Sequence, residues 1–157
     1  MQKEIILGGG CFWGLESLFR KRPGVLDTEV GYAGGDNARP TYQNHPGHAE
    51  VVRIFYDSEV TSLAELLGYF FRVHDPTTKD RQGNDVGTSY RSVIFYQTEA
   101  EKEIAVSTIA EIEETGRWEA PIVTAIEPLK NYFHAEEEHQ EYLLKNPNGY
   151  TCHFERW

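Results

Sequence analysis

The sequence contains little sulfur and relatively little positive charge. Its 157 residues include two cysteines and one methionine, and 15 basic against 25 acidic side chains give a formal net charge of −10. Such a surplus of negative charge opposes binding to nucleic-acid phosphates or anionic lipids unless basic residues are concentrated in a patch, and we find no patch. Cys11 and Cys152 stand near opposite ends of the chain without Cys-x-x-Cys spacing, which excludes a disulfide framework.

Long apolar runs are also absent. The apolar residues 5–7 are too few for the core of a signal peptide, and no later stretch approaches a membrane span. We therefore expect a cytoplasmic protein, in which two cysteines favour a transient disulfide over a structural one. Hydrophobic residues at 39% and charged residues at 25% are ordinary for a globular chain. The length predicts a single domain over 1–157, with 146–157 as a C-terminal tail, and the acidic surface favours a monomer.

Hydrophobic spacing predicts alternating strands and helices. Strands are predicted at Lys3–Leu7, Val25–Tyr32, Ala49–Tyr56, Ser92–Gln97 and within 121–129. Helices are predicted at Phe12–Arg20, Leu63–Val73, from Thr98 to about 115 and from about 135 to 145. This order predicts an α+β protein, a two-layer α/β sandwich with a mixed sheet of ferredoxin-like type. The polar loops 33–47 and 74–90 are long, and loops of that length in compact domains usually carry function.

The most informative segment is Gly-Gly-Gly-Cys-Phe-Trp-Gly at 8–14, which follows the first predicted strand. It predicts a tight turn and the first turn of a helix, with the Cys11 thiol beside exposed backbone N–H groups and their partial positive charge. A cysteine in that position has its pKa lowered to roughly 3.5–7.5 and acts as a nucleophile at neutral pH. The alternative is a small buried cysteine in a close strand-to-helix turn, without reactivity.

Six short blocks are distributed along the chain. They are Gly-Cys-Phe-Trp-Gly at 10–14, Gly-Tyr-Ala-Gly-Gly at 31–35, Gly-His-Ala-Glu at 47–50, His-Asp-Pro at 74–76, Arg-Gln-Gly-Asn-Asp-x-Gly-Thr-x-Tyr-Arg-Ser at 81–92 and Lys-Asn-Pro-x-Gly-Tyr at 145–150. In content, order and spacing these blocks are similar to the type A peptide methionine sulfoxide reductases. One block would be weak evidence, but six in register over nearly the whole chain are specific.

The resemblance implies an enzyme that reduces the S epimer of methionine sulfoxide, free or peptide-bound, and so repairs oxidative damage. It implies that Tyr42 and Tyr90 donate hydrogen bonds to the sulfoxide oxygen and that Asp85 orients the site. Taken alone, each tyrosine is typical of an aromatic ring at the edge of a core, and Asp85 of a turn residue.

Phe12 and Trp13 are the candidate substrate-binding residues. Two rings beside the nucleophile suit an apolar slot for the S-methyl group, although neighbouring aromatics at a helix start are otherwise typical of a core. The resemblance favours the slot.

Thiol reduction of a sulfoxide also needs an acid, because an unprotonated oxide is a poor leaving group. Glu50 is the candidate, since a carboxyl near the start of an apolar strand and beside a long loop is partly desolvated, which raises its pKa. Without the resemblance, a solvated or salt-bridged glutamate at a strand end is the simpler interpretation.

Attack by Cys11 leaves a sulfenic acid, which condenses with a second thiol to a disulfide. Cys152 is the other cysteine of the chain, and the resemblance implies that it recycles Cys11 before reduction by thioredoxin. An unpaired surface or buried thiol remains the alternative. Some family members carry two tail cysteines, whereas this tail carries one, so we expect one internal disulfide step.

We expect no metal and no bound cofactor. His134 and His139 are five residues apart, about 140° around the predicted helix, and cannot share a zinc ion as an i, i+4 pair does. Two other functions stay open at this stage. One is a Cys-His hydrolase or transferase with His48 or His153 as base, although His48 is more typical of a structural histidine. The other is a non-catalytic module that binds methionine-containing segments.

Overall fold

The computed structural model describes residues 1–157. Eight strands are present: β1 Gln2–Gly9, β2 Val25–Ala33, β3 Ala49–Asp57, β4 Arg81–Gln82, β5 Asp85–Val86, β6 Ser92–Tyr96, β7 Ala125–Pro128 and β8 Tyr132–His134. The helices are α1 Phe12–Arg20, α2 Leu63–Val73, α3 Glu99–Glu114 and α4 Tyr142–Lys145. No helix combines the length and the apolar character needed to cross a bilayer.

Six strands form one sheet in the order β7-β6-β1-β3-β2-β8. All neighbours are antiparallel except β6 and β7, which are parallel, so the sheet is mixed as predicted. Strands β4 and β5 form a separate hairpin within the loop between α2 and β6. The prediction of an α+β protein with a mixed sheet is confirmed.

The alternation of side chains along the strands divides the apolar residues between two faces of the sheet. On β1, Ile5 and Leu7 join a cluster of 20 buried residues that includes the apolar sides of α1 and α2. Ile6, between them, belongs to a smaller cluster of six on the opposite face. The larger core therefore fixes α1 on one side of β1 and its neighbours, and the start of α1 is where the candidate nucleophile lies.

A glycine is required where β1 turns into α1. Gly10 has a φ of +97°, a conformation that L side chains rarely adopt, and a Cβ there would meet the Gln82 side chain at 2.6 Å. The turn is consequently short, and Cys11 becomes the residue that precedes α1.

Two sequence predictions of local structure are wrong. The helix predicted from about 135 to 145 is a 3-10 turn at Glu137–His139 followed by the four residues of α4. Glu141 between them has a φ of +52°, which interrupts any continuous helix. The polar loop 74–90, predicted without strands, contains β4 and β5, and β8 at Tyr132–His134 was not predicted. Strands β4 and β5 pair with each other in a short local hairpin, whereas β8 pairs with β2, which is distant in the chain.

The C-terminal tail packs against the start of α1. The Nε2–H of His153 donates to the carbonyl of Gly9 at 2.6 Å, and His153 is only 6% exposed. The side chains of Thr151 and His153 occupy the space that a Cβ on Gly14 would need. Further along, the Arg156 N–H donates to the carbonyl of Arg72 on α2 at 3.0 Å.

We predict that Gly14→Ala displaces the tail. Alanine has the higher helix propensity by about 1 kcal/mol, but its Cβ would collide with Thr151 and His153, so the tail has to move. Hydrogen exchange and limited proteolysis of 150–157 should both become faster.

The matched control is Gly68→Ala in α2, where nothing lies within 4 Å of the added Cβ. This change should raise the free energy of unfolding by about 0.5–1 kcal/mol and leave the tail unaffected. Equal tail protection in both variants would contradict the packing described above.

Candidate active site

The Cys11 thiol lies at the N-terminus of α1 and is almost completely buried, at 3% exposure. Burial raises its pKa well above the usual range, and the negative charges of Glu50 and Asp85 raise it further, while the Trp13 backbone N–H lowers it. The position at the helix start was predicted correctly, but the expected lowering of the pKa is wrong. Loss of hydration outweighs the helix N-terminus, so the resting group is a thiol.

Glu50 is the second residue of β3 and lies opposite Tyr32 of β2. Its carboxyl is 1% exposed, one oxygen accepts the Phe12 backbone N–H at 3.1 Å, and the other oxygen is buried without a partner. Burial raises the pKa of Glu50 to about 8 against the lowering effect of the Phe12 hydrogen bond. The direction is the one expected from the sequence, and the alternative of a solvated or salt-bridged glutamate is wrong.

Two phenols lie close to this pair of protonated groups. Tyr42 and Tyr90 are both half-buried and lie close enough to influence each other's titration. Burial raises the pKa of both, Tyr90 to about 12, and the charges of Glu50 and Cys11 act in the same direction. Both tyrosines therefore remain hydrogen-bond donors at every physiological pH.

Asp85 lies on β5 of the small hairpin, not in the turn between the two strands. It accepts the Tyr150 hydroxyl of the tail at 3.2 Å. Burial raises its pKa and the Tyr150 hydrogen bond lowers it. Since its charge raises the pKa of Cys11, Glu50 and Tyr90, Asp85 is electrostatically part of the same cluster.

Stacked rings form a wall beside the cysteine. Trp13 lies between Tyr42, at 5.9 Å with an 8° tilt, and Tyr142, at 3.8 Å with a 10° tilt. Phe12 is fully buried, with its ring centroid 6.2 Å from that of Tyr42. The two predicted slot residues thus share Tyr42 as a neighbour, and Trp13 is the more accessible of them.

Two residues of this wall were missed by sequence reasoning. The indole Nε1–H of Trp13 donates to Nδ1 of His139 at 3.0 Å, and His139 stacks on Tyr42 at 4.5 Å. Glu136 accepts the Tyr32 hydroxyl at 2.8 Å and the Tyr42 backbone N–H at 3.0 Å. Both residues were missed because 135–145 was predicted as a helix. The pairing of β8 with β2, which the sequence does not indicate, brings this segment to the site.

Cys152 is half-buried in the docked tail. Its sulfur lies 3.9 Å from the Gln82 carbonyl oxygen and 4.0 Å from Nδ1 of His153, and burial raises its pKa. Both cysteines are free thiols, and the charge of Cys152 is among the influences that raise the pKa of Cys11.

The two candidate bases of the hydrolase alternative are engaged elsewhere. His48 accepts the Gly35 N–H at 3.0 Å and donates to the Asn37 carbonyl at 2.9 Å. His153 donates to the Gly9 carbonyl, and its other nitrogen faces Cys152. Neither forms a hydrogen bond with the Cys11 thiol, which weighs against a Cys-His pair.

One group of side chains has distances that suit a cation. Glu136, Glu138 and His139 place ligand atoms within 4.8 Å of one another. However, both Glu136 oxygens accept hydrogen bonds and Nδ1 of His139 accepts the Trp13 indole. Only Glu138 and the Nε2 atom of His139 would remain to bind a cation, which is too few ligands for a zinc site. His134 does not belong to this group.

The geometry defines a thiol-based site, in which a buried cysteine and a neutral carboxyl lie beside phenol donors and aromatic rings. The sequence profile of the family described as Peptide methionine sulfoxide reductase matches residues 3–156. The chain therefore belongs to the peptide methionine sulfoxide reductase family and is an oxidoreductase.

Individual relatives agree with this assignment. The chain is 56% identical over 154 residues to the Peptide methionine sulfoxide reductase MsrA of Nocardia farcinica, covering 98% of this chain and 91% of that one. The reduced form of Mxr1 from Saccharomyces cerevisiae superposes with a TM-score of 0.89 at 42% identity, covering 99% of this chain and 93% of that one. Mxr1 in complex with Trx2 superposes at 0.65 with 34% identity, covering 99% and 91%.

The raised pKa of Glu50 predicts a pH-dependent stability. The unfolded chain loses the proton of this carboxyl near pH 4.5, whereas the native protein keeps it until about pH 8, where its pKa lies. The native state thus binds more protons within that window, so the contribution of Glu50 to stability falls as the pH rises through it.

Urea denaturation of the wild type and Glu50→Gln from pH 4.5 to 8.5 measures this effect. The free energy of unfolding of the variant should rise relative to that of the wild type as the pH increases from 4.5 to about 8. Above pH 8 the difference between the two proteins should become constant. A constant difference between the two proteins would show that the carboxyl titrates normally.

Proposed function

We propose that this chain reduces the S epimer of methionine sulfoxide, free or peptide-bound, to methionine. Membership of the family supports the reaction, and the resemblance alone supports the epimer. The observation that carries the proposal is the Glu50 carboxyl, which is buried and neutral and has one oxygen without a partner. A sulfoxide oxygen would be the missing partner, because it accepts the proton that this carboxyl holds.

The first step transfers the oxygen atom from substrate to enzyme. The Cys11 sulfur attacks the sulfoxide sulfur, Glu50 protonates the oxygen, and the carboxylate so formed takes the thiol proton. The protonated oxygen then passes as a hydroxyl group from the methionine sulfur to the Cys11 sulfur while the bond between the two sulfurs breaks, so methionine leaves and Cys11 becomes a sulfenic acid. The substrate sulfur is thereby reduced by two electrons and Cys11 is oxidised by two. Glu50 ends the step protonated again, which suits a site in which both groups rest neutral.

The neighbouring side chains would assist this transfer. Tyr42 and Tyr90 remain phenols, so they can donate hydrogen bonds to the oxygen as negative charge accumulates there. Asp85, held by Tyr150, orients the site, and Phe12 with Trp13 forms the apolar slot for the methyl group.

The second half of the cycle restores the thiol. Cys152 attacks the sulfenic acid of Cys11, which forms the disulfide and releases water, and a dithiol protein of the thioredoxin type reduces the disulfide by two electrons. The structure of Mxr1 with Trx2 supports such a partner. Residues 150–153 dock beside the Cys11 helix, which supports Cys152 as the second thiol.

We also propose a single domain over 1–157 with a ferredoxin-like core. The order β6-β1-β3-β2 with all neighbours antiparallel, and helices α1 and α2 after β1 and β3, supports this topology. In addition to that core, β7 and β8 extend the sheet at its two edges.

Turnover of each resolved sulfoxide epimer with dithiothreitol tests the first step. Cys11→Ser should abolish reduction, and Glu50→Gln should lower kcat about 10²- to 10⁴-fold because its amide keeps the Phe12 hydrogen bond but cannot protonate the oxygen. Glu16→Gln is the matched control, since Glu16 is equally buried but bonds to Thr28 and Glu141 instead.

Glu16→Gln should retain activity within a few-fold of the wild type. Unchanged activity in Glu50→Gln, or reduction of the R epimer in preference to the S epimer, would contradict the proposal.

Cys152→Ser tests the recycling step. A single turnover without reductant should still release one equivalent of methionine, because the first step does not use Cys152. Steady-state cycling with thioredoxin should be lost, and the sulfenic acid of Cys11 should become trappable by dimedone. Full thioredoxin-driven activity in this variant would refute the assignment of Cys152.

A further inference from the structure

The imidazole ring of His153 lies over the first turn of α1. Its Nε2 atom is 2.6 Å from the Gly9 carbonyl oxygen, and the residue is buried. A Cβ on Gly10 would lie 3.2 Å from Nε2, and a Cβ on Gly14 would collide with Nδ1. The ring therefore contacts the chain on both sides of Cys11.

The bond to Gly9 determines which nitrogen of His153 carries the proton. A carbonyl oxygen only accepts hydrogen bonds, so the proton is on Nε2. Burial lowers the pKa of His153 to about 4, which keeps the ring neutral at physiological pH. The lone pair of Nδ1 is consequently unprotonated and can act as a base.

The Cys152 thiol lies next to this lone pair. Its sulfur is 4.0 Å from Nδ1 of His153 and 3.9 Å from the Gln82 carbonyl oxygen. Both atoms can accept a hydrogen bond from the thiol, but of the two only the imidazole is basic enough to take its proton. The Thr151 hydroxyl accepts the backbone N–H of His153 at 3.1 Å, which closes a turn with Cys152 at its centre.

The recycling step needs a base for Cys152. Cysteine attacks as a thiolate, whereas burial raises the pKa of Cys152 above its ordinary value, so the group rests as a thiol at neutral pH. Cysteine nucleophiles are activated by an adjacent histidine that a third group holds in orientation. Cys152, His153 and the Gly9 carbonyl have this arrangement.

We propose that His153 is the general base of the recycling step, in which Nδ1 takes the Cys152 proton as the Cys152 sulfur attacks the sulfenic acid of Cys11. The proposal rests on the proposed function, because Cys152 has this task only after a sulfoxide has oxidised Cys11. The Cys152 sulfur supplies the electron pair of the new S–S bond, and the pair of the S–O bond leaves with the hydroxyl group. Glu50 protonates that hydroxyl group to water, the His153 imidazolium loses its proton to solvent, and Glu50 regains one from solvent.

His153→Gln removes the base and keeps a donor for the Gly9 carbonyl, because an amide N–H donates but an amide is not basic. The variant is mixed with methionine S-sulfoxide without reductant, and methionine release and disulfide formation are followed separately. Methionine release should stay within a few-fold of the wild type, since the first step does not use His153. Loss of the second free thiol, which reports the disulfide, should slow by about 10²- to 10⁴-fold at pH 6.5.

The pH dependence separates loss of a base from loss of packing. Without the base the rate follows the thiolate fraction of Cys152, so the ratio of variant to wild-type rate should rise about tenfold per pH unit from pH 6 to 7.5. The ratio removes the titration of Glu50, whose pKa is about 8. It also removes that of the other titratable groups facing the pair, which are Cys11, His74, Asp85, Tyr150 and Arg156.

His48→Gln is the matched control. His48 is also buried and donates from Nε2 to a carbonyl, that of Asn37, but its Nδ1 accepts the Gly35 N–H instead of facing a thiol. The ratio of its disulfide-formation rate to that of the wild type should be the same at every pH in this range.

A second measurement needs no sulfoxide. Cys11→Ser leaves Cys152 as the single thiol of the chain, and its reaction with Ellman's disulfide measures attack on a sulfur electrophile. With His153 in place the rate should be nearly constant from pH 6 to 7.5, because the ring stays unprotonated above its pKa of about 4. An unassisted thiol would instead react about tenfold faster with each pH unit.

The outcomes distinguish the base from the reaction itself. A pH-independent ratio in His153→Gln, or a tenfold rise per pH unit in Cys11→Ser with His153 intact, would overturn the base and leave the proposed function standing. The Cys11→Ser profile decides the matter even if His153→Gln does not fold. A wild-type protein that releases no methionine would overturn the proposed function and the recycling task of His153 with it.

Discussion

The site depends on the contact between the first turn of α1 and the Glu50 carboxyl of β3. The Phe12 N–H holds one carboxyl oxygen, and burial leaves the other oxygen without solvent or partner. The short glycine turn after β1 and the antiparallel pairing of β1 with β3 bring these two groups together. Since β1 and β3 are both interior strands of the sheet, the contact is fixed by the same residues that form the larger core.

Burial sets the protonation of this site. A helix N-terminus stabilises a negative charge by up to about 2 kcal/mol, whereas complete burial moves a pKa by as much as about 3–5 units, or roughly 4–7 kcal/mol. Burial is accordingly the largest cause of the raised pKa at both Cys11 and Glu50. A thiolate and a carboxylate side by side would repel each other there, so the proposed reaction starts from two protonated groups and moves one proton between them.

Features that depend on residues close together in the sequence, such as the first two helices and the tight turn before α1, were predicted correctly. Helices α1 and α2 lie where their spacing predicts, and the turn before α1 put Cys11 at a helix start. The residues around Trp13 could not be found in this way, because His139 and Glu136 reach it only after β8 pairs with β2. The shift in the pKa of Cys11 was predicted in the wrong direction for a related reason. The thiol is buried by residues from other parts of the chain, which the sequence around 8–14 does not reveal.

Different parts of the protein pack against Trp13 and Gly14 in the first turn of α1. Trp13 faces the stacked rings of Tyr42, Tyr142 and His139, whereas the absence of a side chain at Gly14 leaves room for Thr151 and His153 of the tail. Substrate and recycling thiol would therefore approach Cys11 from different sides. One buried sulfur could then serve both proposed steps without the tail having to leave before a sulfoxide enters, which makes a docked and ordered tail compatible with turnover.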